Sequence, residues 1–182
     1  MKEFFRSRFS FRGINLIDIV VISMLISMEI VFDRFLAINT WNIKITLGFL
    51  PVALIAYRYG CIGSIIAAAL GDFIGAMLFP FGPYYFGFTA TAAVVGLIFG
   101  IFLYKNRKMI NILLAVFLSG ILCTLILNTL CITLLYGGDF TTIMISRLPQ
   151  FAVTAIAEII IFRYLYIFDT AFKKLPKNKK IR

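Results

Sequence analysis

Residues 61–79 read CIGSIIAAALGDFIGAMLF, nineteen positions that carry one charged side chain, Asp72. A helix of about 20 apolar residues spans the hydrocarbon core of a bilayer, so this segment predicts a transmembrane helix. Small residues recur every four positions in two segments, at Gly63, Ala67, Gly71 and Gly75 and at Ala92, Gly96 and Gly100. Each set shares one helix face, where neighbouring helices can pack closely in lipid.

The composition of the whole chain agrees with this reading. The chain has 182 residues, of which 62% are hydrophobic and 14% are charged. Soluble domains are typically about 45–50% apolar and about 25% charged. A water-soluble monomer and a disordered chain are therefore excluded. We expect an all-α integral membrane protein with a single membrane domain over residues 1–182.

Apolar segments on both sides of residues 61–79 extend the pattern to a bundle of six transmembrane helices. They are expected at about 16–36, 45–57, 61–79, 88–104, 110–136 and 143–168, with a basic tail at 169–182. The second helix is short, has Pro51 in its middle, and is joined to the third by a tight turn at 58–60. A short helix interrupted by proline marks binding regions in transporters, although a tilted or re-entrant helix fits as well.

The basic residues predict the orientation in the membrane. The net charge is +10, from 18 Lys and Arg against 8 Asp and Glu. In a six-helix arrangement 15 of the 18 cations share one side with both termini, and Arg34, Lys44 and Arg147 lie on the other. Cytoplasmic loops of membrane proteins are enriched in such residues. We therefore expect a multi-pass protein of the cell membrane with both termini in the cytoplasm, and N-terminal cations near lipid headgroups rather than nucleic acid.

Two absences narrow the chemistry. The chain contains no His, which excludes Ser-His-Asp triads, zinc sites of the HExxH type and haem ligation by His. It also contains no GxxxxGK[ST] motif, so it cannot bind ATP through a P-loop. Cys61, Cys123 and Cys131 all lie in apolar runs and are expected to be buried packing residues. We therefore expect that the chain is not an enzyme and binds no metal or cofactor. If it takes part in transport, the energy must come from an ion gradient or from another subunit.

Candidate binding residues gather on the predicted outer side. This group combines aromatic, amide and cationic side chains and consists of Arg34, Asn39, Trp41, Tyr84, Tyr85, Phe86, Asn128, Arg147 and Gln150. Aromatic rings stack on flat ligands, and guanidinium groups pair with carboxylates. The group therefore predicts an outward-facing pocket for a planar, anionic ligand, although each residue alone could be an interface anchor.

The acidic residues of the helices have more than one interpretation. Asp72 and Glu158 lie in the middle of predicted helices, where a carboxyl group could carry a coupling proton. Asp72 could instead bond to a neighbouring helix, and Glu158 could pair with Arg163. Glu29 and Asp33 are expected at the outer rim, paired with Arg34 or with water.

Five segments carry a resemblance to a known family. They read DRFLAINT (33–40), ITLGFLPVAL (45–54), GDFIGAMLFPFGPYYFGFTATAAVVGLIFG (71–100), LNTLCITLLYGGDF (127–140) and RLPQF (147–151). The chain resembles the folate-specific S component, the substrate-binding membrane subunit, of energy-coupling factor (ECF) vitamin transporters. The resemblance covers most of residues 16–168 and is most specific in RFLAINT and FPFGPYYFGFT.

The resemblance implies a fold, a ligand and partners. It implies six helices with both termini inside, capture of folate or a reduced folate from outside, and assembly with a membrane T subunit and two cytosolic ATPases. Asn128 and Gln150 would then bind the edge of the pterin ring of folate. Arg34 or Arg147 would bind the glutamate tail of folate. Ser23 and Ser27 would replace the Ala-xxx-Ala docking face of the family. An S component for another vitamin and a stand-alone ion-coupled carrier remain alternatives.

Overall fold

The computed structural model describes residues 15–39, 43–104 and 108–174. In chain order the elements are α1 (Leu16–Arg34), β1 (Ile38–Asn39), β2 (Lys44–Ile45), α2 (Phe49–Leu78), α3 (Phe86–Leu103), α4 (Met109–Ser119), a π-helix (Gly120–Leu127), α5 (Asn128–Tyr136), α6 (Phe140–Ser146) and α7 (Leu148–Lys174). The two short strands form one antiparallel pair. The N-terminal cations predicted at the headgroups lie outside the described residues.

The chain is a helical membrane protein, as predicted. Within the described residues, three stretches are long and apolar enough to cross a bilayer, namely Phe49–Leu78, Phe86–Leu103 and Met109–Tyr136. A fourth is present if α6 and α7, which meet at an angle of 42°, form one broken span.

The start of α2 differs from the expected helix at 45–57. Lys44 and Ile45 belong to a strand, and α2 begins only at Phe49. Pro51 is therefore the third helical residue and not a mid-helix interruption. A proline in the first turn removes no intrahelical hydrogen bond, because the N–H groups of that turn have no helical acceptor. The predicted interruption of this helix at Pro51 was wrong for this reason.

The break in α2 falls in the turn expected at 58–60. Gly60 has φ +77° and ψ −162°, a conformation that is readily available only to glycine. The two parts of α2 run in opposite directions along α1, as three contacts indicate: Tyr59 with Asp18, Gly48 with Asp33, and Gly75 with Arg34. Both the beginning and the end of α2 therefore lie beside the C-terminal end of α1.

The two small-residue faces have different partners. A Cβ atom at Gly96 would lie 2.4 Å from the carbonyl oxygen of Ser64, so α3 packs directly on the backbone of α2. The Ser64 hydroxyl also donates to the Gly96 carbonyl at 2.7 Å. Gly71 and Gly75 instead make room for charged side chains of α1. The small-residue face of α3 thus packs on α2, whereas Gly71 and Gly75 of the α2 face receive α1 and Gly63 lies against Tyr59 of α2 itself.

The last two predicted helices are each interrupted. The expected helix at 110–136 contains the π-helix between α4 and α5, and the expected helix at 143–168 is divided at Arg147, directly before Leu148-Pro149. Asp139 begins α6 by accepting hydrogen bonds from the hydroxyl of Thr141 and from the amide of Thr142, the latter at 3.0 Å. These bonds, that of Thr141 above all, lower the pKa of Asp139.

The core lies where α2, α3, α4 and α7 meet. Phe99 is fully buried, and its ring packs edge-on against Phe162, with 5.9 Å between centroids. Val52 of α2 and Val116 of α4 belong to the same buried cluster. The three cysteines are buried thiols, as their apolar surroundings predicted.

We expect Gly96→Ala to destabilise the protein by about 1–3 kcal/mol, the usual cost of overpacking. The added methyl group would meet the backbone of α2, which cannot move aside as a flexible side chain can. Thermal unfolding in detergent measures the effect, with Ala90→Leu on the exposed face of α3 as the control. Equal stability of Gly96→Ala and wild type would show that the α2–α3 contact is looser than described.

Candidate functional site

A cavity of about 390 Å³ lies beside the C-terminal end of α1. Its walls come from α1, β2, α2, α3, the π-helix, α5 and α7, together with the connection at 79–85. The break at Gly60 contributes to this arrangement, because it brings both ends of α2 to the same end of α1. The cavity is therefore formed by residues far apart in the sequence.

Most of the predicted binding residues line this cavity, namely Arg34, Tyr84, Tyr85, Asn128, Arg147 and Gln150. Phe86 does not: it is the first residue of α3 and is 68% exposed, whereas its neighbours Tyr85 and Phe88 point into the cavity. Consecutive residues at a helix start point in different directions, so the three rings cannot share one wall. Trp41 and the side chain of Asn39 lie outside the described residues.

Arg34 is held by Asp72 and not by the acidic residues of α1. Its guanidinium lies 3.5 Å from the Asp72 carboxylate and donates to the Asp72 carbonyl at 3.3 Å. It also lies over the ring of Phe81, 5.4 Å from the centroid. The expected pairing of Glu29 and Asp33 with Arg34 is therefore wrong. Asp72 bonds to a neighbouring helix, which was one of its two interpretations.

The same carboxylate fixes the connection at 79–85. Thr89 donates to the second oxygen of Asp72 at 2.7 Å, and the hydroxyls of Thr89 and Tyr84 are hydrogen-bonded at 2.8 Å. Asp72 thus joins α1, α2, α3 and the aromatic connection. We infer that it orients the aromatic wall of the cavity, since Tyr84 and Phe81 are both attached to groups that it binds.

A second set of bonds holds the strand pair over the cavity. Lys44 forms an ion pair with Asp33, whose other oxygen accepts from Thr46 at 2.8 Å. The Gln150 amide donates to the Lys44 carbonyl at 2.7 Å and accepts from Arg147 Nε at 3.3 Å. Gln150 therefore has partners in the protein, and it positions the Arg147 guanidinium.

Three charged groups of the cavity keep a buried atom without a hydrogen-bond partner among the described residues, namely Arg147 Nη1, Glu29 Oε2 and Arg34 Nε. Arg147 is 3% exposed, and its Nη1 has no hydrogen-bond partner among the described residues. Glu29 is 7% exposed, and its Oε2 likewise has none within the described part of the chain. Buried polar atoms are normally satisfied, so such atoms at a cavity indicate where a ligand binds. Arg147 can bind a carboxylate there.

The remaining walls suit a flat ring system. Phe81, Tyr84, Tyr85 and Phe88 supply aromatic surface. The π-helix adds Thr124, and Asn128 follows at the start of α5, so that a hydroxyl and an amide line the same cavity. π-Helical segments occur frequently at functional sites. The cavity therefore offers stacking surface, edge-on hydrogen bonds and two guanidinium groups, of which Arg147 has no carboxylate partner among the described residues, whereas Arg34 is paired with Asp72.

Sequence reasoning missed three contributors to the site. Glu29 was placed at the rim, Thr89 was not singled out, and Thr124 lies in a segment with no recognisable signal. The sequence contained one clue to Glu29. It precedes Arg34 by five residues, so both side chains lie in the last two turns of the same helix.

Ser23 and Ser27 lie on an exposed face of α1. Each hydroxyl donates to the carbonyl four residues earlier, Ile19 and Ser23 respectively, at 2.9 Å. These internal bonds hide the polarity of the hydroxyls and leave small side chains at the surface. Large apolar neighbours such as Val20 and Met24 are 50% and 68% exposed.

We expect Thr89→Val to lower stability by about 0.6–1.7 kcal/mol, the range for side-chain hydrogen bonds in membrane proteins. Valine keeps the shape but loses the hydroxyl that joins Asp72 to Tyr84. Thermal unfolding of the purified protein measures it. Thr133→Val is the control, because the Thr133 hydroxyl bonds to the Thr129 carbonyl of its own helix. Equal effects of the two substitutions would contradict a role in joining helices.

Comparisons with known proteins identify the family. The profile of the ECF transporter, substrate-specific component, matches residues 18–166. The folate transporter FolT of Clostridium novyi (strain NT) is 36% identical over 135 residues, which are 74% of this chain and 78% of that protein. The folate transporter FolT of Leuconostoc mesenteroides subsp. mesenteroides is 30% identical over 119 residues, 64% of each chain.

A solved structure agrees with these relatives. The crystal structure of FolT bound with folic acid superposes with a TM-score of 0.78 at 32% identity, covering 83% of this chain and 93% of that chain. The resemblance noted in the sequence is thereby confirmed. With a family profile that matches residues 18–166 and relatives of this identity, the chain belongs to the family of substrate-specific (S) components of ECF transporters.

Proposed function

We propose that this chain is the folate-binding S component of an ECF transporter. It captures folate or a reduced folate from outside the cell for ATP-driven import by partner subunits. The observation that carries the proposal is the cavity, in which aromatic walls surround a buried arginine with an unused guanidinium nitrogen. The relatives named folate transporters and the matching structure bound with folic acid support the choice of ligand.

The cavity has groups for both ends of folate. The pterin ring stacks on the aromatic side chains, and Asn128 and Thr124 hydrogen-bond along its edge. The glutamate tail carries the negative charge and pairs with Arg147. Of the two arginines considered from the sequence, Arg147 is favoured because Arg34 already has the Asp72 carboxylate and the ring of Phe81 as neighbours.

We infer six membrane segments with both termini in the cytoplasm. The break at Gly60 supports this count, because the two parts of α2 run in opposite directions and act as two segments. The distribution of 15 cations on one side and 3 on the other supports the orientation. The cavity lies beside Arg34 and Lys44 and so opens to the outside.

Partner subunits supply the energy in this proposal. The sequence has no P-loop, so a T subunit and two cytosolic ATPases complete the transporter. The exposed small side chains Ser23 and Ser27 are the proposed contact of α1 with the T subunit, since small residues permit close approach of helices. The other exposed apolar surfaces face lipid.

A stand-alone ion-coupled carrier is the weaker candidate. It requires a carboxylate that gains and loses a proton along the substrate path. Glu158 does not line the cavity and Asp72 is occupied by Arg34 and Thr89, so Glu29 is the cavity carboxylate that could take this role. The relatives named folate transporters and the family profile favour the S component over such a carrier. An S component for another vitamin would use the same fold with a different cavity chemistry.

Uptake of radiolabelled folic acid tests the proposed function. Cells without folate uptake of their own would express the chain alone, with the T subunit and ATPases, or with ATPases inactivated in their P-loop. We expect uptake only with the complete, active set. Uptake by the chain alone would establish the stand-alone carrier, and uptake of another vitamin in place of folate would assign a different S component.

A further inference from the structure

Three carboxylates line the cavity, and Glu29 is the one without a cationic partner among the described residues. Asp33 pairs with Lys44 and Asp72 pairs with Arg34, so each of these carboxylates has a cation. Glu29 lines the same cavity but forms no ion pair within the described residues. Its side chain is more than nine-tenths buried.

The fold makes room for the Glu29 carboxyl group beside Gly71, and no described residue bonds its Oε2. A Cβ atom at Gly71 would lie 2.5 Å from the carboxyl carbon and from Oε2, so the absence of a side chain there makes the space. The space lies between α1 and α2, at the cavity wall. A buried carboxylate is costly unless hydrogen bonds compensate it, so N–H donors of a ligand in the cavity would stabilise the ionised form of Glu29.

We propose that Glu29 binds the 2-amino-4-oxo edge of the pteridine ring and thereby selects pterins. That edge presents two parallel donors, the N3–H and one N–H of the 2-amino group. An ionised carboxylate offers two acceptor oxygens and no donor, so it matches this edge in the same way that it matches a guanidinium. The inference rests on the proposed function and adds which end of folate lies against α1.

Glu29 and Arg147 then fix the orientation of the ligand together. One carboxylate takes the donor-rich ring and one guanidinium takes the acceptor-only glutamate tail. A reversed ligand would bring carboxylates against Glu29 and two N–H donors against Arg147, which has no acceptor. Both contacts would be repulsive, one between carboxylates and one between N–H donors, so the reversed orientation is strongly disfavoured.

Binding of two ligands by three proteins tests the inference. The ligands are folic acid and its analogue in which hydrogen replaces the 2-amino group; the proteins are wild type, Glu29→Gln and Glu158→Gln. Glu158 is the control, since it is a partly buried helical glutamate whose Oε2 is buried without a partner among the described residues and which does not line the cavity. We expect wild type and Glu158→Gln to prefer folic acid by about 10- to 100-fold, and Glu29→Gln to prefer it by less than about 3-fold.

The outcomes separate this inference from the proposed function. An unchanged preference in Glu29→Gln, or no preference in wild type, would overturn the role of Glu29 while leaving folate binding intact. Wild-type protein that binds neither ligand would overturn the proposed function and this inference with it. Should Glu29→Gln fail to fold, Gly71→Ala serves in its place, because its methyl group displaces the carboxylate and should abolish the same preference.

Discussion

Replacing Arg147 with alanine should weaken folate binding by roughly 10- to 150-fold, the equivalent of about 1.5–3 kcal/mol for a charge-assisted hydrogen bond. Arg147 is 3% exposed, its guanidinium is positioned by Gln150, and its Nη1 has no hydrogen-bond partner among the described residues. Removing the guanidinium leaves the glutamate tail of the ligand without its cation. Arg147→Lys should restore only part of the affinity, because the planar arrangement of donors is lost.

Equilibrium binding to the purified protein measures this effect, with Arg163→Ala as the control. Arg163 lies on the same helix, α7, and its side chain is exposed outside the cavity. We expect the control to bind as wild type does. Wild-type affinity in Arg147→Ala would exclude Arg147 from the site. Arg34 would then be the next candidate, although its loss would also release Asp72 and Phe81.

Replacing Ser23 and Ser27 together with tryptophan should abolish uptake while folate binding remains. The two side chains lie four residues apart on the exposed face of α1, where bulky groups would hold a partner helix away. Their hydroxyls bond only within α1 among the described residues, so the cavity is not expected to change. Co-purification with the T subunit, together with uptake in cells carrying all subunits, measures the effect.

A matched pair on another helix controls for the bulk of tryptophan. Ile156 and Ile160 are also four residues apart and are 59% and 49% exposed on α7. Their double replacement should leave assembly and uptake intact. Intact uptake with Ser23→Trp and Ser27→Trp would exclude this face as the docking surface.

The general nature of the fold was predictable because it follows from summed properties. Hydrophobic content and the length of apolar runs identify membrane helices without any knowledge of packing. The turn at Gly60 was also predictable, since Arg58-Tyr59-Gly60 separates two apolar runs. The start of α2 was not, because nothing local distinguishes Lys44 and Ile45 in a strand from the same residues in a first helical turn.

The site was predictable in its residue types but not in its pairings. Aromatic and cationic residues near segment ends pointed to Tyr84, Tyr85 and Arg147, and these three residues line one cavity. Whether Arg34 bonds to Asp33 or to Asp72 depends on the rotation of α1 against α2, which sequence spacing does not determine. Burial of Glu29 depends in turn on Gly71, 42 positions further along the chain.

Calorimetric titration of purified, ligand-free protein tests the central claim most directly. Folic acid, thiamine, riboflavin and biotin would each be added to the same preparation. We expect saturable heat with folic acid at a stoichiometry near one, and none with the other three vitamins. Absence of heat with folic acid, together with tight binding of thiamine, riboflavin or biotin, would contradict the assignment of this chain as a folate-binding S component.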